Sequence, residues 1–268
     1  MSLTVTLIQP DLKWEDKKAN LEMLARKIEG IEKTELIILP EMFSTGFSMR
    51  PELLAEIMEG PTVEWMRNIA KTKKVIITGS LIIEDGGKYY NRLVWMLPTG
   101  DCAWYDKRHL FAFGEEDQHY TPGKKRLIAS VKGWRINLQV CYDLRFPVWA
   151  RQSSSANREK AEGDKGLEYD IIIYVANWPE RRSNVWKTLL QARAIENQCY
   201  TIGVNRVGLD GNDINHSGES MITDPLGNVL YQKANEEDVY TYTLEKDTLE
   251  EVRTKFPFYK DADGFTLL

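Results

Sequence analysis

Short apolar segments alternate with amphipathic segments along most of the chain. Residues 4–9 and 35–39 are predicted as strands, and residues 16–29 between them carry apolar side chains at helical spacing. The continuously apolar character of residues 35–39 is typical of a strand that is covered on both faces. The same pattern predicts further strands at residues 135–140, 170–176, 199–206, 219–223, 229–232 and 239–244, and helices at 51–58, 62–71, 144–152 and 184–198.

The segment at residues 75–107 has a different character. Two turn-forming sequences, Asp85–Gly87 and Pro98–Asp101, divide it into three apolar stretches, which predicts an antiparallel three-strand meander. No internal repeat of fixed period is present. The simplest organisation is one α/β domain over residues 1–268, with a polar surface loop at 153–168 and a C-terminal tail from about residue 252 that packs on a neighbour or partner.

Composition and charge narrow the class of protein. The chain has 268 residues, of which 43% are hydrophobic and 28% charged, and a net charge of −5, as in ordinary soluble globular proteins. The acidic balance argues against nucleic acid or an anionic membrane surface as the main partner. No apolar run approaches the length needed to span a bilayer, and the N-terminal residues lack the basic region of a signal peptide.

Cysteine usage indicates a reducing compartment. Cys102, Cys141 and Cys199 are an odd number and form no CxxC pair, so neither a disulfide framework nor a structural zinc site is expected. The sequence therefore predicts a cytoplasmic protein.

Polar or reactive residues follow four of the predicted strands directly. Glu41 follows the strand at 35–39, Lys107 follows the last strand of the meander, and Cys141 follows the strand at 135–140. The sequence Asn177-Trp178-Pro179 follows the strand at 170–176. Ligands of open α/β sheets bind at the carboxyl ends of the strands, so we expect these side chains to share one site.

The three side chains Glu41, Lys107 and Cys141 suffice for acyl transfer. A thiolate is a strong nucleophile, and a glutamate can accept the thiol proton and later donate it to a departing amine. A lysine ammonium can stabilise the oxyanion of a tetrahedral intermediate, together with the backbone N–H of Tyr142 just after the cysteine.

Two other interpretations of Cys141 are open. Free cysteine is often a small buried hydrophobe at a strand end. A Cys–His hydrolase is also conceivable because His109, His119 and His216 are available. His109 lies only two residues from Lys107, and His216 lies in a segment predicted as a loop or turn, so the combination with glutamate and lysine is favoured.

The chain resembles the nitrilase superfamily of carbon–nitrogen hydrolases in the content, order and separation of three sequence blocks, at residues 36–43, 105–111 and 140–147. The resemblance implies a four-layer αββα sandwich that pairs into a homodimer through the helix at 184–198 and the segment after Cys141. It also implies that Glu41 is the general base, Lys107 the oxyanion stabiliser and Cys141 the nucleophile.

The superfamily has a second glutamate shortly before a Pro-Gly sequence. Counting back from Gly123 favours Glu116, with the adjacent Glu115 as the alternative. The resemblance implies that this glutamate orients Lys107 and the substrate amide. The polar tract at 153–168 is longer than this connection usually is in the family.

Within the superfamily, residues 41–47, 141–147 and 176–179 look like the omega-amidase branch. This implies hydrolysis of the terminal amide of small 2-oxo dicarboxylic acid monoamides, such as 2-oxoglutaramate and 2-oxosuccinamate, to acid and ammonia through a cysteine thioester. No metal or organic cofactor is needed. The same three residues could instead act on a nitrile, an N-carbamoyl amino acid or an aliphatic amide, and a non-catalytic binding protein of the same fold is a further alternative.

A substrate that carries a carboxylate needs a cationic contact in the pocket. Arg145 is a candidate, since a guanidinium matches carboxylate geometry, although it could instead pair with Asp143. Phe43 and Trp178 are candidates for the walls of a small pocket, with plain packing as their alternative role.

Overall fold

The computed structural model describes residues 1–152 and 167–263, and these residues form two β-sheets with helices outside each. The first sheet has six strands in the spatial order β13-β1-β2-β3-β4-β5. Its strands are β1 (Ser2–Gln9), β2 (Leu36–Ile38), β3 (Ile76–Asp85), β4 (Lys88–Met96), β5 (Cys102–Asp106) and β13 (Asp238–Glu245). Strands β3, β4 and β5 are the meander predicted at 75–107.

The second sheet has seven strands, in the order β10-β11-β9-β8-β7-β6 with β12 also paired to β11. They are β6 (Leu127–Val131), β7 (Trp134–Val140), β8 (Ile171–Val175), β9 (Tyr200–Val204), β10 (Val207–Leu209), β11 (Asn215–Thr223) and β12 (Val229–Ala234). Neighbours β7, β8 and β9 are parallel, as are β1, β2 and β3 in the first sheet.

The helices vary widely in length. They are α1 (Lys17–Glu29), α2 (Pro51–Leu54), α3 (Pro61–Lys73), α4 (Glu116–His119), α5 (Pro147–Ala150), α6 (Ser183–Asn197) and α7 (Lys246–Lys255). None of the helices in the described part of the chain is both long enough and apolar enough to cross a membrane.

Three apolar clusters separate four layers. The largest lies between the two sheets and includes Leu36 and Ile38 of β2. A second packs α1 and α3 on the outer face of the first sheet and includes Ile37 of β2, so this strand is apolar throughout because both of its faces are covered. A third packs α6 on the outer face of the second sheet. The four-layer αββα sandwich expected from the resemblance is confirmed.

Helix predictions are wrong in three places. The helix predicted at 51–58 stops at Leu54, because Glu56 forms a β-bridge with Ile83. The helix predicted at 62–71 begins one residue earlier, at Pro61, with Gly60 as its N-cap, and the Thr62 N–H and hydroxyl both donate to the Glu56 carboxylate. The segment predicted as a helix at 144–152 contains only the single turn α5.

The C-terminal region packs on its own chain. The tail was expected from about residue 252, but α7 continues through that position, and Leu249 is buried in the core between the sheets. Arg253 Nη1 donates to Asp170 Oδ1 at 2.8 Å. Most of the polar tract predicted as a loop at 153–168 lies outside the described residues.

Candidate active site

The two sheets bring the ends of β2, β5, β7 and β8 to one edge of the sandwich, where Glu41, Lys107, Cys141 and Asn177 follow them. Lys107 Nζ lies 2.9 Å from Glu41 Oε1, and neither side chain is exposed. The Glu41 carboxylate also lies near enough to the Cys141 thiol to raise its pKa. The backbone N–H of Asn177 donates to Glu41 Oε2 at 2.8 Å, which fixes the second oxygen of the carboxylate.

A second carboxylate also holds Lys107. Glu116 is fully buried, and its Oε1 and Oε2 lie 3.0 and 2.8 Å from Lys107 Nζ. Glu116 Oε2 also accepts from the backbone N–H of Phe111 at 2.6 Å. Glu115 is exposed and has a left-handed backbone conformation at φ 61°, so Glu116 is the glutamate that faces the cluster.

Asn91 joins the two carboxylates and was not predicted from the sequence. Its Nδ2 donates to Glu41 Oε1 at 2.8 Å and to Glu116 Oε1 at 3.1 Å. Its Oδ1 accepts from the Ser80 hydroxyl at 2.7 Å, which fixes the orientation of the amide. The available signal was a lone asparagine inside the strand predicted after Gly87, since a polar residue on a buried strand needs polar partners.

Cys141 begins a tight turn over residues 141–145 that directly follows β7, here named the Cys141 turn. Its φ of 42° lies in the left-handed region, which is unusual for a residue with a side chain and typical of functional sites. Asp143 holds this turn, with Oδ2 accepting from the Val140 N–H at 3.1 Å and from the Tyr105 hydroxyl at 2.8 Å. Asp143 Oδ1 accepts from the backbone N–H of His109 at 2.9 Å, so the carboxylate connects the turn to the Lys107 segment.

The histidines are not placed to act on Cys141. His109 Nδ1 lies 2.7 Å from Asp143 Oδ1, and its ring stacks on Phe146. His216 lies on β11 rather than in the predicted loop, and its Nδ1 faces two backbone carbonyl oxygens. Within the described residues, no hydrogen bond joins Cys141 to a histidine.

Burial and charge shift the titration of this cluster. Burial raises the pKa of the Cys141 thiol well above its ordinary value, and the neighbouring Glu41 charge raises it further against the opposing effect of Lys107. Burial alone would lower the pKa of Lys107, but the Glu116 and Glu41 carboxylates outweigh it and the pKa is raised. At neutral pH the site therefore holds an ammonium and a protonated thiol.

The cluster opens into a cavity of about 210 Å³. Lys107 and Cys141 line it, together with Tyr142, whose N–H is the predicted oxyanion donor. Its other lining residues include three arginines, Arg145, Arg181 and Arg182. The lining of the cavity is therefore predominantly cationic.

Two of the three predicted substrate-binding residues line this cavity. Arg145 places its guanidinium 5.1 Å from the ring centroid of Trp178, and both residues line the cavity. Asp143 instead accepts from Val140, Tyr105 and His109, and Arg145 forms no ion pair with it.

Phe43 lies elsewhere, which corrects its predicted place in the pocket wall. It is fully buried in the cluster under α3, with its ring centroid 6.0 Å from that of Trp65. It is not among the cavity residues of the described chain. Its side chain points to the helix layer although its neighbour Glu41 points to the site.

Arg181, Arg182 and His216 line the cavity and were not singled out as binding residues from the sequence. Arg181 and Arg182 follow the strand-end sequence Asn177-Trp178-Pro179 within a few residues, and this position was the available signal. Burial, with the nearby charge of Arg206, lowers the pKa of His216 to about 4, so its imidazole is neutral at neutral pH. Across residues 1–152 and 167–263, no three His, Cys, Asp or Glu side chains are grouped so that they could hold a metal ion.

Comparison with known proteins gives a consistent result. The sequence pattern of the carbon–nitrogen hydrolase family matches residues 4–254. The chain is 41% identical to the omega-amidase YafV of Escherichia coli over 99% of this chain and 98% of that protein. It is 29% identical to the 2-oxoglutaramate amidase of Bacillus subtilis over 97% and 98% of the two chains.

Solved structures agree with this comparison. One is XC1258 from Xanthomonas campestris, a CN-hydrolase superfamily protein with an arsenic adduct in its active site. It superposes on this chain with a TM-score of 0.95 at 42% sequence identity, and the match covers 100% of this chain and 99% of XC1258. Nit3 from Saccharomyces cerevisiae, a member of the nitrilase superfamily, has the same fold with a TM-score of 0.82 at 24% identity, over 96% of this chain and 94% of its own.

Proposed function

Since the chain belongs to the carbon–nitrogen hydrolase family, we propose that it is an omega-amidase, which cleaves the terminal amide of small 2-oxo dicarboxylic acid monoamides to acid and ammonia. The observation that carries this proposal is the buried cluster of Glu41, Lys107 and Glu116 near the Cys141 thiol, beside a cavity lined by three arginines. The names of the Escherichia coli and Bacillus subtilis relatives support the substrate class.

Glu41 activates the nucleophile in this mechanism. Its carboxylate accepts the Cys141 proton as the sulfur attacks the amide carbonyl carbon. The hydrogen bond from Asn91 and the one from the Asn177 N–H hold the carboxylate in place during the transfer. Because burial raises the pKa of the thiol, the proton moves during the attack rather than before it.

Lys107 stabilises the charge that develops on the amide oxygen. Its ammonium and the Tyr142 N–H donate to that oxygen in the tetrahedral intermediate. Glu116 is a positioning residue, because both of its oxygens accept from the Lys107 ammonium and fix its direction.

The second half of the reaction uses the same groups. The tetrahedral intermediate collapses, the carbon–nitrogen bond breaks, and protonated Glu41 donates its proton to the departing ammonia, which leaves a thioester on Cys141. Glu41 then removes a proton from water, the hydroxyl attacks the thioester carbonyl, and the carboxylic acid is released as the thiol recovers its proton.

Arg145 anchors the carboxylate of the substrate. Its guanidinium rests on Trp178, which holds it at the cavity, and no carboxylate among residues 1–152 and 167–263 pairs with it. The planar guanidinium can donate two parallel hydrogen bonds to a carboxylate, so it selects substrates that carry one.

The test is ammonia release by the purified protein from a panel of substrates. We expect 2-oxoglutaramate and 2-oxosuccinamate to give the highest kcat/KM, with Cys141→Ala inactive and Cys102→Ala unaffected as its matched control. A higher kcat/KM for a nitrile, an N-carbamoyl amino acid or a simple aliphatic amide would reject the substrate class but keep the chemistry. Ammonia release by Cys141→Ala would reject the nucleophile.

We also propose a homodimer in a reducing compartment. Val148 of α5, Ile195 of α6 and Leu226 beside α6 are about half exposed, at 53%, 54% and 50%, on the helix layer over the second sheet. The free thiols of Cys102, Cys141 and Cys199 suit the cytoplasm. Ile195→Asp is expected to convert the dimer to a monomer in analytical ultracentrifugation, and a monomeric wild-type protein would contradict the proposal.

A further inference from the structure

The arginines around the cavity differ from most others in the protein. Arg92, Arg126 and Arg206 each form an ion pair with a carboxylate. By contrast, no carboxylate of the described residues pairs with any of the three arginines that line the cavity. Guanidinium groups that are left without an anion at a cavity are suited to bind one from outside.

Arg182 is fixed in place at this cavity. Its guanidinium carbon lies 5.2 Å from the ring centroid of Phe111, and its backbone carbonyl accepts from Trp178 Nε1 at 2.8 Å. Trp178 is also the residue on which Arg145 rests. Arg182 and Arg145 are therefore two cations, each stacked on an aromatic ring, that a shared tryptophan connects.

The pKa of Arg182 is consistent with a guanidinium that lacks a neighbouring anion. Burial lowers the pKa of Arg182, and the positive charges of Arg181 and Arg145 lower it further, whereas proximity to Cys141 has the opposite effect. Arg182 and Cys141 line the same cavity of about 210 Å³, so a small substrate can contact both. Among the described residues that line it, Asp210 is the one acidic side chain, and its Oδ1 already accepts from the Asn212 and Ile214 N–H groups.

We propose that Arg182 is a specificity-determining residue that binds the 2-oxo acid head of the substrate together with Arg145. This inference rests on the proposed function. A 2-oxo acid head presents only acceptor oxygens, from its carboxylate and its ketone, and two guanidiniums present only donors. An amino acid amide such as glutamine carries an ammonium at the same carbon, where it meets cations instead of acceptors and is rejected.

The first test compares substrates that differ only at the second carbon. These are 2-oxoglutaramate, the monoamide of glutaric acid, which lacks the ketone, and glutamine. We expect Arg182→Gln to lower kcat/KM for 2-oxoglutaramate by about 10- to 100-fold, which is the range for loss of a charged hydrogen bond. Most of this loss is expected in KM. The loss on the glutaric acid monoamide is expected to be smaller but still present, because this substrate keeps the carboxylate and lacks only the ketone. Arg182→Lys is expected to recover part of the activity.

Arg26→Gln is the matched control. Arg26 is exposed on α1 and does not line the cavity, so its substitution removes one surface guanidinium. We expect it to change kcat/KM by about threefold or less, as for an exposed charge. Equal losses on the two substrates in Arg182→Gln, or equal losses in Arg26→Gln and Arg182→Gln, would overturn the assignment.

A second test does not depend on the amide substrate. Iodoacetate and iodoacetamide both alkylate Cys141, with a sulfur–carbon bond formed and iodide released, and they differ by one negative charge. Mass spectrometry of the Cys141 peptide gives the ratio of the two rates at a fixed pH. We expect wild type to favour iodoacetate relative to a free thiol, and Arg182→Gln to reduce the ratio by about tenfold, in the same range of charged hydrogen bonds.

The two tests separate the two hypotheses. An alkylation ratio that Arg182→Gln leaves unchanged overturns the anion site at Arg182, even if 2-oxoglutaramate is hydrolysed. Failure of wild type to release ammonia from 2-oxoglutaramate overturns the proposed function and with it the 2-oxo assignment, even if the ratio changes.

Discussion

Replacing Glu116 by glutamine tests whether the second carboxylate positions Lys107. Each Glu116 oxygen accepts from Lys107 Nζ and from one further donor, which is Asn91 Nδ2 at Oε1 and the Phe111 N–H at Oε2. Glutamine has the same shape but only one oxygen. Its amide NH₂ group must therefore face two donors, whichever way the amide is turned.

The size of the effect follows from these contacts. Two hydrogen bonds are lost, at least one of them charge-assisted, and a hydrogen bond to a charged group contributes about 1.5–3 kcal/mol. The total of about 3 kcal/mol corresponds to roughly a 100-fold change in rate if Lys107 is no longer held toward the developing oxyanion. We expect the loss in kcat rather than in KM, because the interaction with the oxyanion exists only in the transition state.

The assay is steady-state ammonia release from 2-oxoglutaramate by Glu116→Gln, beside Glu115→Gln as the matched control. Glu115 is exposed, so the control is expected to stay within about threefold of wild type. A thermal melt of each variant separates loss of positioning from loss of folded protein. A Glu116→Gln enzyme with more than a third of the wild-type kcat, or a control that falls as far, would falsify the positioning role.

Three further predictions concern stability and its dependence on pH. Asp143→Asn leaves donors such as the Tyr105 hydroxyl poorly paired in a buried turn, so the free energy of unfolding measured in urea is expected to fall by about 2–4 kcal/mol. An unchanged denaturation midpoint would contradict this. His216 has a pKa of about 4 in the folded protein and about 6.5 in the unfolded chain. Because the unfolded chain binds this proton more readily, the free energy of unfolding is expected to fall as the pH drops from about 6.5 to 4. His216→Gln should flatten that slope. Burial raises the pKa of Asp170, but Arg253, the Arg135 N–H and Lys246 together outweigh it, so the net pKa is lowered. The stabilisation from Asp170 is therefore present above pH 4 and lost as pH falls below, and Asp170→Asn should remove this acid-sensitive component in the same titration.

Much of the fold could be predicted from the sequence because apolar periodicity records which faces are covered. Residues 36–38 are apolar at every position since one face of β2 meets the other sheet and the other face meets α1 and α3. Prediction failed where a distant contact decides the local structure. Residues 55–58 have a helical pattern, but the β-bridge between Glu56 and Ile83 ends the helix, and that contact depends on the arrangement of the sheet.

The residues of the candidate site likewise fall into those that the sequence could predict and those that depend on distant contacts. Glu41, Lys107 and Cys141 follow strands directly, so their shared edge follows from the order of strands alone. Asn91 sits inside β4 and reaches Glu41 only through the antiparallel pairing of that strand with β3. Phe43 shows the limit of proximity along the chain, because it lies two residues from Glu41 and yet packs under α3.

The raised pKa of Cys141 determines when the proposed nucleophile forms. The cluster already holds the carboxylates of Glu41 and Glu116 around one ammonium, so a free thiolate would add a third negative charge to a buried site. Transfer of the proton to Glu41 avoids this, because the glutamate becomes neutral as the sulfur becomes negative. When the sulfur attacks, the negative charge moves on to the carbonyl oxygen, beside Lys107 and the Tyr142 N–H. The Cys141 thiol therefore stays protonated at rest, and its proton passes to Glu41 as the sulfur attacks an electrophile.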